Sequence, residues 1–142
     1  MKTIAVAKAI LIADGKILLL QRSADDYRRP LQWDLPGGAL DADEDCKQAC
    51  AREVWEEAGI SLPASNFRAT YAMTEIVTDG TSCTFSFFRA NVAETEPILS
   101  SEHQAAYWVT LSAAQELITY DRHLLVLDYV RAQGLLTASA ED

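Results

Sequence analysis

Two stretches rich in Ile, Leu, Val and Ala, residues 3–13 and 16–22, stand near the start of the chain with only Asp14-Gly15 between them. Asp-Gly supplies the positive backbone angles of a type I′ turn, so the spacing predicts a β-hairpin. Residues 23–32 are polar, with Asp25, Asp26, Arg28, Arg29 and Pro30, and read as a loop. Trp33-Asp34-Leu35 then forms a short extended piece closed by the flexible bend Pro36-Gly37-Gly38. After an acidic loop, Asp41 to Glu44, residues 46–58 contain neither Gly nor Pro and are mostly good helix formers. Asp45 with Gln48 three residues on resembles a capping box, and Gly59 stands where a left-handed C-terminal cap belongs, so a helix is predicted there.

Beyond Pro63, residues 67–77 and 82–92 carry Phe67, Tyr71, Ile76, Val77, Phe85, Phe87, Phe88 and Val92 around a second Asp-Gly pair, Asp79-Gly80, and predict a second hairpin. Alternation puts Phe85 and Phe87 on one face and Phe88 on the other, which favours core packing over a base-stacking platform. A polar stretch, 93–104, precedes a short strand at 106–110, a short helix at 112–117 and a longer helix at 121–133 ended by Gly134. Strands and helices mix without strict alternation, which points to the α+β class, a mixed β-sheet flanked by helices.

The chain has 142 residues, 49% hydrophobic and 23% charged, which fits one domain over residues 1–136 with a frayed tail at 137–142. A net charge of -9 argues against a polymeric nucleic-acid binder or an anionic-membrane binder. That field repels anions, so an anionic substrate needs a local inversion of charge, most simply a bound divalent cation. Three Cys without CxxC spacing and two His give no zinc-ligand set; reduced, packed thiols are expected, with a redox or soft-metal role for Cys46 and Cys50, one turn apart, as the minor alternative. Lys2 followed by Ile4 to Ala13 superficially suggests a signal peptide, but Lys8 interrupts the apolar region and Asp14-Gly15 ends it in a turn. No apolar run approaches the roughly 20 residues that span a bilayer, so the expected location is cytoplasmic.

The candidate chemistry sits in the predicted helix 46–58. At 3.6 residues per turn Glu53, Glu56 and Glu57 fall on adjacent positions of one face, beside Arg52. Unpaired, such repulsion costs a few tenths of a kcal/mol. A hard divalent cation with oxygen ligands turns the liability into a site; the plainer alternative is a solvated acidic face.

Read outward, the pattern is Gly38, five residues, Glu44, seven residues, then Arg52-Glu53-Val54-Trp55-Glu56-Glu57-Ala58-Gly59-Ile60. It resembles the Nudix box of the Nudix hydrolases at every defining position, the aliphatic Val54 and Ile60 included. The likeness continues in Leu18-Leu19-Leu20-Gln21-Arg22, Trp33-Asp34-Leu35-Pro36-Gly37-Gly38, Glu102-His103 and Trp108-Val109, and so covers roughly residues 4–130. Asp41 and Asp43 depart from it, standing where many members have Glu and Gly.

The resemblance implies a Nudix fold, a mixed sheet sandwiched between helices in an α/β/α arrangement, and a MutT-like hydrolase dependent on Mg2+ or Mn2+. Its implied metal ligands are the carboxylates of Glu53, Glu56 and Glu57 and the backbone carbonyl of Gly38. Arg52 joins the implied catalytic set as an electrostatic partner of Glu44 or Glu56. The general base is a box glutamate, Glu53 or Glu56, in some members and a later Glu or His in others, here Glu102 or His103. Glu102 as a further metal ligand and His103 as a surface residue are the alternatives. Arg22 and Arg28 are candidate substrate contacts, Arg22 toward phosphate or base, with a capping surface charge as its plainer role; Arg28 and Arg29 oppose the acidic field near the entrance.

The implied substrate is a small nucleotide, first a nucleoside triphosphate cleaved to the monophosphate and pyrophosphate. Nucleotide sugars, ADP-ribose and dinucleoside polyphosphates are the alternatives. The family's ADP-ribose hydrolases tend to carry a proline shortly after the box, and no Pro lies between Pro63 and Pro97. A non-catalytic nucleotide-sensing module is a reading of another class, but such modules commonly have eroded boxes and this one keeps every carboxylate. Homodimers are common in the family, so a second copy is an implied partner.

Overall fold

A computed structural model describes residues 2–77 and 79–136; the tail expected to fray, 137–142, lies outside the described residues. Strands β1 (Thr3–Ala13) and β2 (Lys16–Arg22) form the expected hairpin, with Asp14 at φ +50° and Gly15 at φ +76° in its turn. The hairpin closes only at Ile12–Ile17 and Ala13–Lys16. Beyond that the strands part, and residues 33–39 fill the opening. Strand β3 (Trp33–Asp34) pairs with Gln21 and Leu20 of β2, and β4 (Gly37–Ala39) pairs with Lys8, Ala7 and Val6 of β1. Between them the Ala9 amide donates to the Pro36 carbonyl at 2.8 Å. The expected bend is thus a wedge in a V-shaped hairpin.

The outer edge of β1 runs parallel to β6 (Ser82–Asn91), from Thr3–Ser82 to Ile12–Asn91, and β5 (Arg68–Ile76) adds antiparallel to β6 as the second hairpin. Strand β7 (His103–Val109) closes the other side against β2, giving a mixed sheet of seven strands among the described residues. It begins three residues before the expected strand, because the ladder offered by Gln21 and Arg22 extends a segment whose own composition is polar.

The near-continuous apolar runs of β1 and β2 are buried on both sides of the sheet. Ile10, Ile12, Ile17 and Leu19 pack with Phe85 and Phe87 against α2 (Leu111–Leu117) and α3 (Asp121–Ala132). Ala7, Ala9, Leu11, Leu18 and Leu20 pack with Phe88 against α1 (Cys46–Ala58). The helices therefore sandwich the sheet, and the phenylalanines divide between the two cores. Helix α1 carries the reciprocal capping box of Asp45 and Gln48 and ends at Gly59, φ +68°. Asp43 adopts φ +64°, a left-handed conformation that Asp tolerates without a glycine.

Cys46, Cys50 and Cys83 are free thiols, and burial pushes the Cys50 thiol up to about 12, which suits packing rather than redox chemistry. Among the described residues no helix is long and apolar enough to cross a membrane.

The wedge depends on Gly37. Its φ is +140°, and a Cβ there would stand 2.2 Å from the Ala7 carbonyl oxygen and 2.7 Å from the Lys8 Cα, both backbone atoms. Gly37→Ala is expected to cost more than about 3 kcal/mol, from backbone strain plus overlap. Gly15→Ala, with open space around its Cβ, should cost about 1 kcal/mol from φ alone. Urea denaturation of both variants checks this; equal losses would remove the overlap argument.

Candidate active site

A cavity of about 440 Å3 opens at the mouth of the V. One wall carries Glu53, Glu56 and Glu57 from α1, Glu102 from the approach to β7, and the backbone of Gly37, Gly38 and Ala39. The lining also includes Arg22, Arg28, Arg29 and Arg122, Tyr120 and His123, and the paired Lys8 and Asp34. The three box glutamates thus converge as helical spacing predicts, yet their environments differ: Glu56 is exposed, Glu53 half-buried and Glu57 only 5% exposed.

Arg52 organises the exposed end of this wall. Its Nε and Nη2 donate to Glu44 at 2.8 and 3.0 Å, its Nη1 donates to Glu53 at 2.8 Å and to Glu56 at 3.4 Å, and Nη2 also reaches the Ala39 carbonyl at 3.2 Å. Asp41 lies 3.2 Å from the same Nε. One planar cation thereby fixes two box carboxylates relative to the strap that bears Gly38. A Cβ added to Gly38 would come 3.0 Å from Glu53 Oε1, so the missing side chain lets backbone and carboxylate sit together.

At the buried end, Glu57 Oε1 accepts the Gly37 amide at 2.8 Å. Burial pushes Glu57 up to about 8, with Glu53 and Glu102 adding repulsion and Lys8 and the Gly37 amide opposing. Burial also raises Glu53, against the pull of Arg52. His103 is not a surface residue: it is 5% exposed, and burial together with the nearby Arg22 pushes it down to about 4. One carboxylate oxygen each from Glu57 and Glu102 and one ring nitrogen of His103 lie within 4.8 Å of one another. Carboxylates destabilised by one another, beside a buried imidazole, form a donor set that suits a divalent cation.

Sequence reading missed a second network in the cavity lining. The Lys8 ammonium donates to Asp34 Oδ2 at 3.2 Å and to the carbonyls of Leu35 and Gly37 at 3.2 and 3.4 Å. Asp34 Oδ1 bonds His123 Nε2 at 2.7 Å. Burial alone would raise Asp34, but Lys8 and His123 hold it well below the ordinary carboxylate range; burial lowers His123. An ionised Asp34 only accepts, so Nε2 of a neutral His123 carries the proton. The signal was present as charge inside apolar runs: Lys8 within β1 and Asp34 between Trp33 and Leu35. Arg22 is held by Asp26 at 2.8 Å and by Asp34 at 3.5 Å, so it faces the cavity already paired.

The family model described as NUDIX domain matches residues 1–128. The chain belongs to the NUDIX family. A MutT-like protein of Streptomyces ambofaciens is 30% identical over 132 residues, 93% of this chain and 79% of that protein. The CTP pyrophosphohydrolase of Escherichia coli K12 is 42% identical over 71 residues, and the match spans about half of each chain, 50% here and 52% there. The crystal structure of a MutT protein from Methanosarcina mazei Go1 superposes with a TM-score of 0.78 at 27% identity, covering 93% of this chain and 96% of that one.

In this Nudix hydrolase, then, the box glutamates, Gly38, Glu102, Arg22 and Arg28 all line one cavity, Arg52 braces it, and the buried His103 brings a ring nitrogen within 4.8 Å of Glu57 and Glu102 oxygens. Unfolded, Glu57 ionises near its ordinary value; folded and metal-free, it keeps its proton to about pH 8. The unfolded state therefore loses the proton first, and stability of the metal-free protein is expected to fall as pH climbs from about 4.5 to 8. Thermal melts in EDTA across this range should show the fall, and Glu57→Gln should flatten it; an unchanged slope in the variant would assign the effect elsewhere.

Proposed function

We propose that this Nudix hydrolase is metal-dependent and cleaves a diphosphate linkage by attack of water at phosphorus, with a nucleoside triphosphate as substrate and a nucleoside monophosphate and pyrophosphate as products. The observation that carries the reading is the mixed charge of the cavity: four glutamates and four arginines line it together in a chain of net charge -9, while Lys8 and Asp34, also in its lining, pair with each other. Arginines oppose the general field where a polyphosphate would enter, and the carboxylates stand where a cation would draw its reacting end. The relative named CTP pyrophosphohydrolase supports the triphosphate reading over nucleotide sugars and dinucleotides.

Glu53, Glu56, Glu57 and the Gly38 carbonyl would hold Mg2+ or Mn2+. When bound, the ion neutralises charge on the diphosphate and makes water easier to deprotonate. Arg52 is a positioning residue: it spans Glu44, Glu53 and Glu56, so its loss misaligns the carboxylates. Proton acceptance from the attacking water falls to Glu53 or Glu56, which line the cavity, rather than to His103, which is not among its lining residues. The arginines receive the nucleotide, with Arg28 and Arg29 better disposed than Arg22, whose guanidinium is engaged by Asp26.

A panel of nucleoside triphosphates, nucleotide sugars and dinucleoside polyphosphates, assayed with Mg2+ for phosphate or pyrophosphate release, tests the substrate. Triphosphates are expected to give the highest kcat/KM, and binding without turnover across the panel would overturn hydrolysis. Glu53→Gln and Glu56→Gln should each keep the native circular dichroism spectrum and lower kcat by about 100-fold or more. Near-normal rates in both would remove the proposed site.

A further inference from the structure

We infer that His103 is a nitrogen ligand of the divalent ion, completing with Glu57 and Glu102 a mixed oxygen–nitrogen site that prefers Mn2+ and related transition-metal ions to Mg2+. The inference rests on the divalent-ion reading above and specifies which of this chain's own side chains meet the ion.

The register of β7 carries the argument. Val109 pairs with Ile17 and belongs to the core under α2 and α3, whereas Trp108 pairs with Leu18 and packs toward α1. Strict alternation from Val109 would send His103 to the α2 and α3 side. The ladder instead slips between Gln21 and Arg22: Gln21 faces Ala105, Arg22 faces His103, and Gln104 has no partner in the register. Cross-strand partners share a face, so this bulge turns His103 to the side of α1, where Glu57 stands.

There the imidazole is 5% exposed, and its Nδ1 is buried without a hydrogen-bond partner. A buried polar atom left unpaired costs free energy, and a ligand at the ring offsets it. The nearby cations do not leave the position positively charged, because Arg22 is engaged by Asp26 and Asp34, and Lys8 by Asp34. The three donor atoms lie within 4.8 Å of one another. Oxygen donors on opposite sides of an octahedral Mg2+ stand roughly 4.2 Å apart, so small side-chain rotations bring all three to one ion. Imidazole is a better donor to transition-metal ions than to Mg2+, which keeps to oxygen, hence the preference.

Metal-free protein titrated with Mn2+ and followed by electron paramagnetic resonance tests this. The expected result is bound Mn2+ with 14N coupling in the pulsed spectrum that disappears in His103→Gln. Mn2+ affinity in that variant should fall about tenfold or more, while Mg2+ affinity, read by competition, changes less than about threefold. Bound Mn2+ without 14N coupling in the wild type, or coupling that persists in His103→Gln, overturns the inference and leaves the divalent-ion reading standing. No Mn2+ binding at millimolar concentration overturns that reading and this inference together. The wild-type spectrum decides the point by itself if the variant does not fold by circular dichroism.

Discussion

The three protons of the Lys8 ammonium go to Asp34, to the Leu35 carbonyl and to the Gly37 carbonyl, so one charge, on a residue 8% exposed, ties β1 to the wedge that fills the open hairpin. A lone buried ammonium would be costly; here Asp34 compensates it, and Asp34 in turn is fixed by His123 from α3 and by the Leu35 amide. The wedge carries Gly37, whose amide binds Glu57, and Gly38, whose bare Cα admits Glu53. The placement of both glutamates relative to the backbone therefore traces back to how the wedge is held.

Charge is segregated within a strongly acidic molecule. The glutamates of the cavity come from α1 and the approach to β7, the arginines from the 23–32 loop, the end of β2 and the first turn of α3. Elements on both sides of the sheet meet at one cavity at the mouth of the splayed hairpin, where residues 33–39 fill the gap between β1 and β2. Arg52 keeps the acidic side from relaxing outward by spending its fork on Glu44, Glu53 and Glu56 at once. Where that cation does not reach, at Glu57, repulsion and burial are relieved instead by a backbone amide and by Lys8.

Much of this was legible along the chain. Asp14-Gly15 marked the hairpin turn, the capping box and Gly59 bounded α1 to the residue, and helical spacing placed Glu53, Glu56 and Glu57 together. These features are local: they depend on propensities and on contacts within four residues. The partners of Arg52 were legible for a related reason, since Glu56 lies one turn away and Glu44 just ahead of the helix.

By itself the sequence determined the α+β class, the helix with its acidic face and the family pattern that surrounds it, because periodicity, caps and spacing act over short distances. Only the tertiary structure decided that the first hairpin opens, that Lys8, Asp34 and His123 meet inside it, and that a slipped pair turns His103 toward Glu57. Those outcomes join residues 26 and 89 positions apart, or hang on a one-residue shift in register. A strand's side chains reverse faces with each such step, and no local preference reports it.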